Sequence, residues 1–146
     1  MSYETLTPEE TRARLDGDGE WTYVDVRTPE EFARGHVPGA YNVPAFFQGP
    51  MGMAPNPEFA GVMKNHFTTD RALVLGCAAG GRSMQACEQL TAEGYTQLVN
   101  MDGGFTGRPD PDGGPGVPGW QERGYPVADA CEVGHDWDSM KGAPAG

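Results

Sequence analysis

The stretch from Ala72 to Ser83 constrains this chain more than any other. Ala72-Leu73-Val74-Leu75 is a short, continuous apolar run. Such a run marks a strand buried on both faces, as in a parallel sheet covered by helices. It leads into Gly76-Cys77-Ala78-Ala79-Gly80-Gly81-Arg82, and a helix is predicted from Ser83 to Glu93, with Gly94 just past its end. Met84, Cys87, Leu90 and Thr91 share one face of that helix. In open α/β sheets ligands bind at the carboxyl ends of the strands, which is where this order of elements places a thiol.

The rest of the chain supports the same architecture. Thr7-Pro8-Glu9-Glu10 has the form of a capped helix start, with a capping hydroxyl, proline at the first helical position and glutamate three residues after the cap. That helix is expected to reach about Asp16. Trp21 to Val26 is rich in aromatic and β-branched residues and reads as a strand. Thr28-Pro29-Glu30-Glu31 repeats the capping pattern and starts a helix ending near Gly35. Ala40–Val43 and Thr96–Asn100 read as strands, 57–67 as a helix, and 44–57 as loop. Alternation of strand and helix predicts an α/β fold: a central, mainly parallel sheet of about five strands with helices on both faces. One domain is expected over residues 1–130. Within it, residues 107–119 carry too much Gly and Pro for helix or strand and form an inserted surface loop. A last helical turn is expected at Trp120–Arg123. Residues 131–146 are expected to be a flexible tail.

Composition narrows the function. The formal net charge is −11 over 146 residues. That argues against nucleic acid and anionic membrane as partners, since both are bound through clusters of Lys and Arg. No apolar run approaches the length of a membrane span, and Met1 to Thr5 resembles neither a signal nor a transit peptide. The expected location is the cytoplasm. The three cysteines, Cys77, Cys87 and Cys131, suggest thiols rather than a disulfide framework.

The chemistry centres on Cys77. A helix N-terminus and a cationic side chain both favour the thiolate, the nucleophilic form. The helix predicted to start at Ser83 supplies the first, and Arg82 the second. Ala78, Ala79, Gly80 and Gly81 have little or no side chain, so successive amides are able to converge into an anion-holding nest. That nest suits a phosphate, an arsenate or a bound sulfur. Four residues separate Cys77 from Arg82. Tyrosine-phosphatase loops, Cys-x5-Arg, are one residue longer, so the shorter loop favours a single terminal sulfur.

These motifs resemble the rhodanese family. Cys77-Ala78-Ala79-Gly80-Gly81-Arg82-Ser83 is similar to that family's Cys-x-x-Gly-x-Arg-Ser loop. Asp25-Val26-Arg27 with Glu31-Phe32, and Gly35-His36-Val37-Pro38-Gly39-Ala40-Tyr41-Asn42-Val43-Pro44, match two further blocks. Gly103-Gly104-Phe105, Trp120 and Gly124-Tyr125-Pro126-Val127 match its ending, apart from about a dozen extra residues between Phe105 and Trp120. The resemblance, nearest to single-domain thiosulfate sulfurtransferases, implies transfer of the outer sulfur of thiosulfate to cyanide or a thiol through a persulfide on Cys77. It implies that Ala78, Ala79, Gly80, Gly81, Arg82 and Ser83 bind the anionic donor, with no cofactor and no metal. The alternatives are a persulfide carrier serving a protein acceptor, or a cysteine-based phosphatase or arsenate reductase.

Other residues have plainer readings. Cys87 is expected in the core rather than as a resolving thiol, and His36 as a backbone hydrogen-bonding residue. Arg27 and Glu31 read as a structural ion pair, Asp25 as an anchor and Trp120 as packing. Arg108 and Arg123 are candidate donor-binding residues on the inserted loop. Cys131, His135 and Asp136 lack the spacing of a four-ligand metal site.

Overall fold

A computed structural model describes residues 3–17, 19–130 and 132–142. In chain order the elements are β1 (Glu4–Leu6), α1 (Pro8–Leu15), β2 (Thr22–Asp25), α2 (Pro29–Ala33), β3 (Tyr41–Asn42), β4 (Phe46–Gly49), β5 (Gly52–Pro55), α3 (Phe59–His66), β6 (Leu73–Gly76), α4 (Gly81–Ala92), β7 (Leu98–Met101) and α5 (Trp137–Gly142). Five strands form one parallel sheet in the order β1-β7-β6-β2-β3. β6 lies in the middle of it, so its apolar run is covered on both sides. Leu73 and Leu75 pack on one face with Phe59 and Met63 of α3, Leu90 of α4, and Trp137 and Met140 of α5. Val74 packs on the other with Tyr23, Phe32, Phe105 and Trp120. Both predicted capping boxes form: the Thr7 and Thr28 hydroxyls accept from the Glu10 and Glu31 amides, and each glutamate accepts from its threonine's amide. Among the described residues no helix is long and apolar enough to cross a membrane.

The structure corrects the sequence reading in four places. β1 was not anticipated; it pairs with β7 through a run too short to show periodicity. Residues 44–57, read as loop, hold the antiparallel hairpin β4–β5, which turns at Pro50 and Met51. Its Gly, Pro and Met content hides the strand pattern. The residues expected to form a flexible tail contain α5, whose Trp137 is 5% exposed and Met140 2% exposed. Burial of these two apolar side chains in the α3–α4 layer holds a segment whose composition reads as a linker. Finally, α4 begins at Gly81 rather than Ser83. Gly80 is its N-cap at φ 117°, and the Met84 amide already donates to the Gly80 carbonyl at 3.1 Å. The left-handed backbone that only glycine adopts easily thus turns the chain into the helix two residues early.

The inserted loop is tied down. Arg108 and Val117 exchange two backbone hydrogen bonds of 3.0 Å. Arg108 also makes a bidentate pair with Asp102, at 2.5 and 3.0 Å. Residues 120–124 form hydrogen-bonded turns, with the Arg123 amide donating to Gly119 C=O at 3.1 Å as in the single helical turn expected there.

Candidate active site

Cys77 follows the last residue of β6, at the carboxyl end of the central strand. Gly80 N–H donates to its Sγ at 3.0 Å and Ser83 N–H at 3.4 Å. The Ser83 hydroxyl lies 3.5 Å from the same sulfur. Gly80 and Ser83 are therefore the two members of the predicted nest whose amides reach the thiol. Ala79 and Gly81 lie exposed above it, and Ala78 and Arg82 are half-buried.

The converse of that convergence is the fate of the loop's carbonyls, which are held from below by the turn after β7. Phe105 N–H donates to Cys77 C=O at 2.8 Å, and Thr106 N–H to Ala78 C=O at 2.9 Å. The Thr106 hydroxyl donates to the same Ala78 oxygen at 2.9 Å. Holding these two carbonyls fixes the start of the loop, from which the chain turns back to bring the Gly80 and Ser83 amides to the sulfur. Gly104 makes this approach possible. At φ 57°, a Cβ there would collide with the Cys77 and Ala78 carbonyl groups. The inserted loop braces the same turn, since the Val117 side chain sits where a Cβ on Gly103 would be, 2.7 Å away.

The expected ion pair is rearranged. Arg27 does not pair with Glu31. Its guanidinium grips the Asp25 carboxylate, with Nη2 2.7 Å from Oδ2, donates to Gly35 C=O and lies over the Phe105 ring. Asp25 is 1% exposed, and a carboxylate so deeply buried needs this compensation. Glu31 pairs with Arg82 instead, in a bidentate contact of 2.8 and 3.1 Å. The fork expected to hold an anionic donor is thus occupied by a carboxylate, and its charge is offset locally. Burial pushes the Glu31 carboxyl up. Hydrogen bonds from Arg82 and the Thr28 amide, with the charge of Arg82, outweigh that and hold it at about 2. A carboxyl lowered on folding contributes stability above its ordinary value near 4.5, and that contribution drains away as pH falls toward 2. Thermal melts over this range should show the wild type losing more stability than Glu31→Gln as acid is added. Parallel curves would contradict the assignment.

The remaining candidates have structural roles. Cys87 is wholly buried on α4; burial first, then the nearby Cys77 and Glu88 charges, push its thiol up to about 12, far from reactive. The His36 ring stacks on Phe32 and bonds Phe32 C=O through Nδ1 at 2.9 Å. Trp120 is buried and donates to Pro126 C=O. Arg108 serves Asp102, and Arg123 donates to Pro118 C=O, so the structure brings neither to Cys77. Cys131 lies outside the described residues; among those described, no cluster of His, Cys, Asp and Glu is able to hold a metal.

Asn100 was not singled out from the sequence. It sits on β7, 4% exposed, and accepts from the Ser83 hydroxyl through Oδ1 at 2.5 Å. A polar residue inside Leu98-Val99-Asn100-Met101 was itself a signal, because a buried amide needs a partner.

Fold and site together define an α/β domain that presents a cysteine sulfur to backbone amides at the carboxyl end of its central parallel strand. A family model for the rhodanese-like domain matches residues 7–107, and the chain belongs to that family. It is 43% identical over 84 residues to thiosulfate sulfurtransferase 16, chloroplastic, of Arabidopsis thaliana, covering 58% of this chain and 70% of that protein. It is equally identical over 84 residues to protein HIGH ARSENIC CONTENT 1, mitochondrial, of the same plant, covering 58% of this chain and 50% of the relative. Among solved structures, the rhodanese-like domain protein of Staphylococcus aureus superimposes with a TM-score of 0.56 at 28% identity, covering 69% of this chain and 86% of that one.

Proposed function

We propose that this protein is a sulfurtransferase that accepts the outer sulfur of thiosulfate on Cys77 and passes it to a thiol or cyanide. The observation that carries the reading is the pair of amides, from Gly80 and Ser83, converging on the Cys77 sulfur. In the first half-reaction the thiolate attacks the outer sulfur of thiosulfate. The sulfur–sulfur bond of the donor breaks, sulfite leaves with its electron pair, and Cys77 carries a persulfide. In the second, the acceptor attacks the outer sulfur of that persulfide, and Cys77 leaves as thiolate. The sequence is redox-neutral and needs no cofactor, and its two covalent halves give ping-pong kinetics. The amides supply fixed donors to the sulfur that carries negative charge between the halves.

Cys77 is 1% exposed beneath its loop. Reaction with an external donor therefore requires residues 78–82 to move off the sulfur. Ala79 and Gly81, exposed and without bulky side chains, are the loop's least anchored members.

A persulfide carrier taking sulfur from a protein is the second reading. Met84, in the first turn of α4 next to Ser83, is 42% exposed and Met53, on the hairpin and lining one cavity with Glu31, is 44% exposed; both favour a protein surface near the loop. A phosphatase or arsenate reductase fits less well, because Arg82 is committed to Glu31. Steady-state assays with thiosulfate, mercaptopyruvate, a persulfidated protein and p-nitrophenyl phosphate separate these readings. The expected result is highest kcat/KM with thiosulfate. Transfer from the protein donor alone supports the carrier, and phosphate release with no sulfur transfer overturns both sulfur readings.

A further inference from the structure

We propose that Asn100 is a positioning residue for Cys77, acting through the Ser83 hydroxyl, which it holds in reserve as a third donor to the sulfur; the proposal rests on the sulfurtransferase reading above. The Ser83 hydroxyl has one proton and three acceptors in reach: Asn100 Oδ1 at 2.5 Å, Gly80 C=O at 3.2 Å and Cys77 Sγ at 3.5 Å. The shortest contact takes the proton in the resting state. The sulfur then has the Gly80 and Ser83 amides, with the hydroxyl beside them but turned away.

That arrangement responds to charge. Hydrogen bonds to an ionised acceptor are roughly twice as strong as neutral ones. When the sulfur is a thiolate or an anionic persulfide, rotation about the Ser83 Cβ–Oγ bond redirects the hydroxyl's hydrogen bond from the neutral amide oxygen to the charged sulfur. No backbone has to move. All three groups are enclosed, with Ser83 fully buried and Asn100 4% exposed, so water does not compete for the proton. Asn100 thereby sets how readily the third donor reaches the sulfur, although it does not touch the sulfur itself.

The test is a double-mutant cycle on the rate of Cys77 alkylation by iodoacetamide, at one fixed pH below neutrality. Asn100→Leu keeps the number and branching of the side-chain heavy atoms and removes the competing acceptor, so the hydroxyl turns to the sulfur. Alkylation should speed up by about tenfold, the scale of one hydrogen bond to a charged group. Ser83→Ala should slow it by a similar factor. In the Ser83→Ala background, Asn100→Leu should change nothing, because the proton it redirects is gone. A purely structural role would move the rate equally in both backgrounds, and that outcome overturns the proposal, as does an unchanged rate in folded Asn100→Leu. Should Asn100→Leu fail to fold, Asn100→Ala replaces it in the same cycle. Alkylation does not depend on turnover, so the two claims fail separately. A coupled cycle without transfer from thiosulfate removes the sulfurtransferase reading, whereas transfer with an additive cycle removes the role of Asn100.

Discussion

Cys77→Ser should reduce thiocyanate formation from thiosulfate and cyanide by at least about a thousand-fold, to background, which is the scale of losing a nucleophile that acts in both half-reactions. The fold should survive. Serine is smaller by little, and the amides of Gly80 and Ser83 still have an acceptor to meet, so no buried donor is orphaned. The melting temperature should therefore change by only a few degrees, on the order of 1 kcal/mol in stability. Retention of turnover in the serine variant would move the chemistry elsewhere, and Cys87 is a poor refuge, being wholly buried with its thiol pushed up to about 12. Cyanolysis assays beside thermal melts make the check.

Gly104→Ala should have the second-largest effect, although Gly104 makes no contact with the Cys77 sulfur. A methyl group there would lie 2.5 Å from the Ala78 carbonyl oxygen and 2.6 Å from its carbon. Those atoms are backbone and cannot rotate aside as a side-chain tip would. Alanine also pays a strain of about 1 kcal/mol or more at φ 57°. Overpacking adds about 1–3 kcal/mol. The chain's escape is to separate residues 104–106 from 77–78, which breaks the bonds from Phe105 and Thr106 that hold the loop's carbonyls. Both stability and transfer rate should fall, with activity at or below about a hundredth of wild type, the loss typical of a catalytic group displaced by an ångström. Gly81→Ala is the internal control. Its Cβ meets nothing within 4 Å, and its φ is not in the left-handed region, so the variant should fold normally and keep most of its activity. Equal losses in the two variants would contradict this account of how the loop is held.

Much of this was legible in the sequence, for identifiable reasons. The run at 73–75 requires apolar cover on both faces, and that alone requires helices on both sides of the sheet. The two Thr-Pro-Glu-Glu segments specify helix starts through local hydrogen bonds, which need no tertiary information. The position of Cys77 followed from the order strand, small residues, helix. What stayed hidden was set by contacts between distant parts of the chain. β1 exists because β7 offers it an edge. α5 exists because Trp137 and Met140 find a place beside α3 and α4. The choice of Glu31 by Arg82 links positions 51 apart, and proximity along the chain favoured the wrong partner, Arg27. With Glu31 in its fork, Arg82 is not free for substrate in this state. The motif Gly103-Gly104-Phe105 was recognisable, but its purpose, holding two carbonyls of the cysteine loop from beneath, belongs to the folded state.

The inserted residues 107–119 also gained a role in three dimensions. Their closure by Arg108 and Val117, with Val117 seated on Gly103, places them behind the turn that supports the loop. They act as a brace for that turn, and the two arginines considered for donor binding are spent on the brace itself.

The most direct measurement is the intact mass of the protein after brief exposure to thiosulfate and removal of excess reagent, followed by peptide mapping. A gain of about 32 Da, one sulfur atom, on the peptide containing Cys77, discharged by cyanide, is the predicted result. An unchanged mass in protein that still forms thiocyanate, or the added sulfur found on another cysteine, would contradict the claim that Cys77 carries the transferred atom.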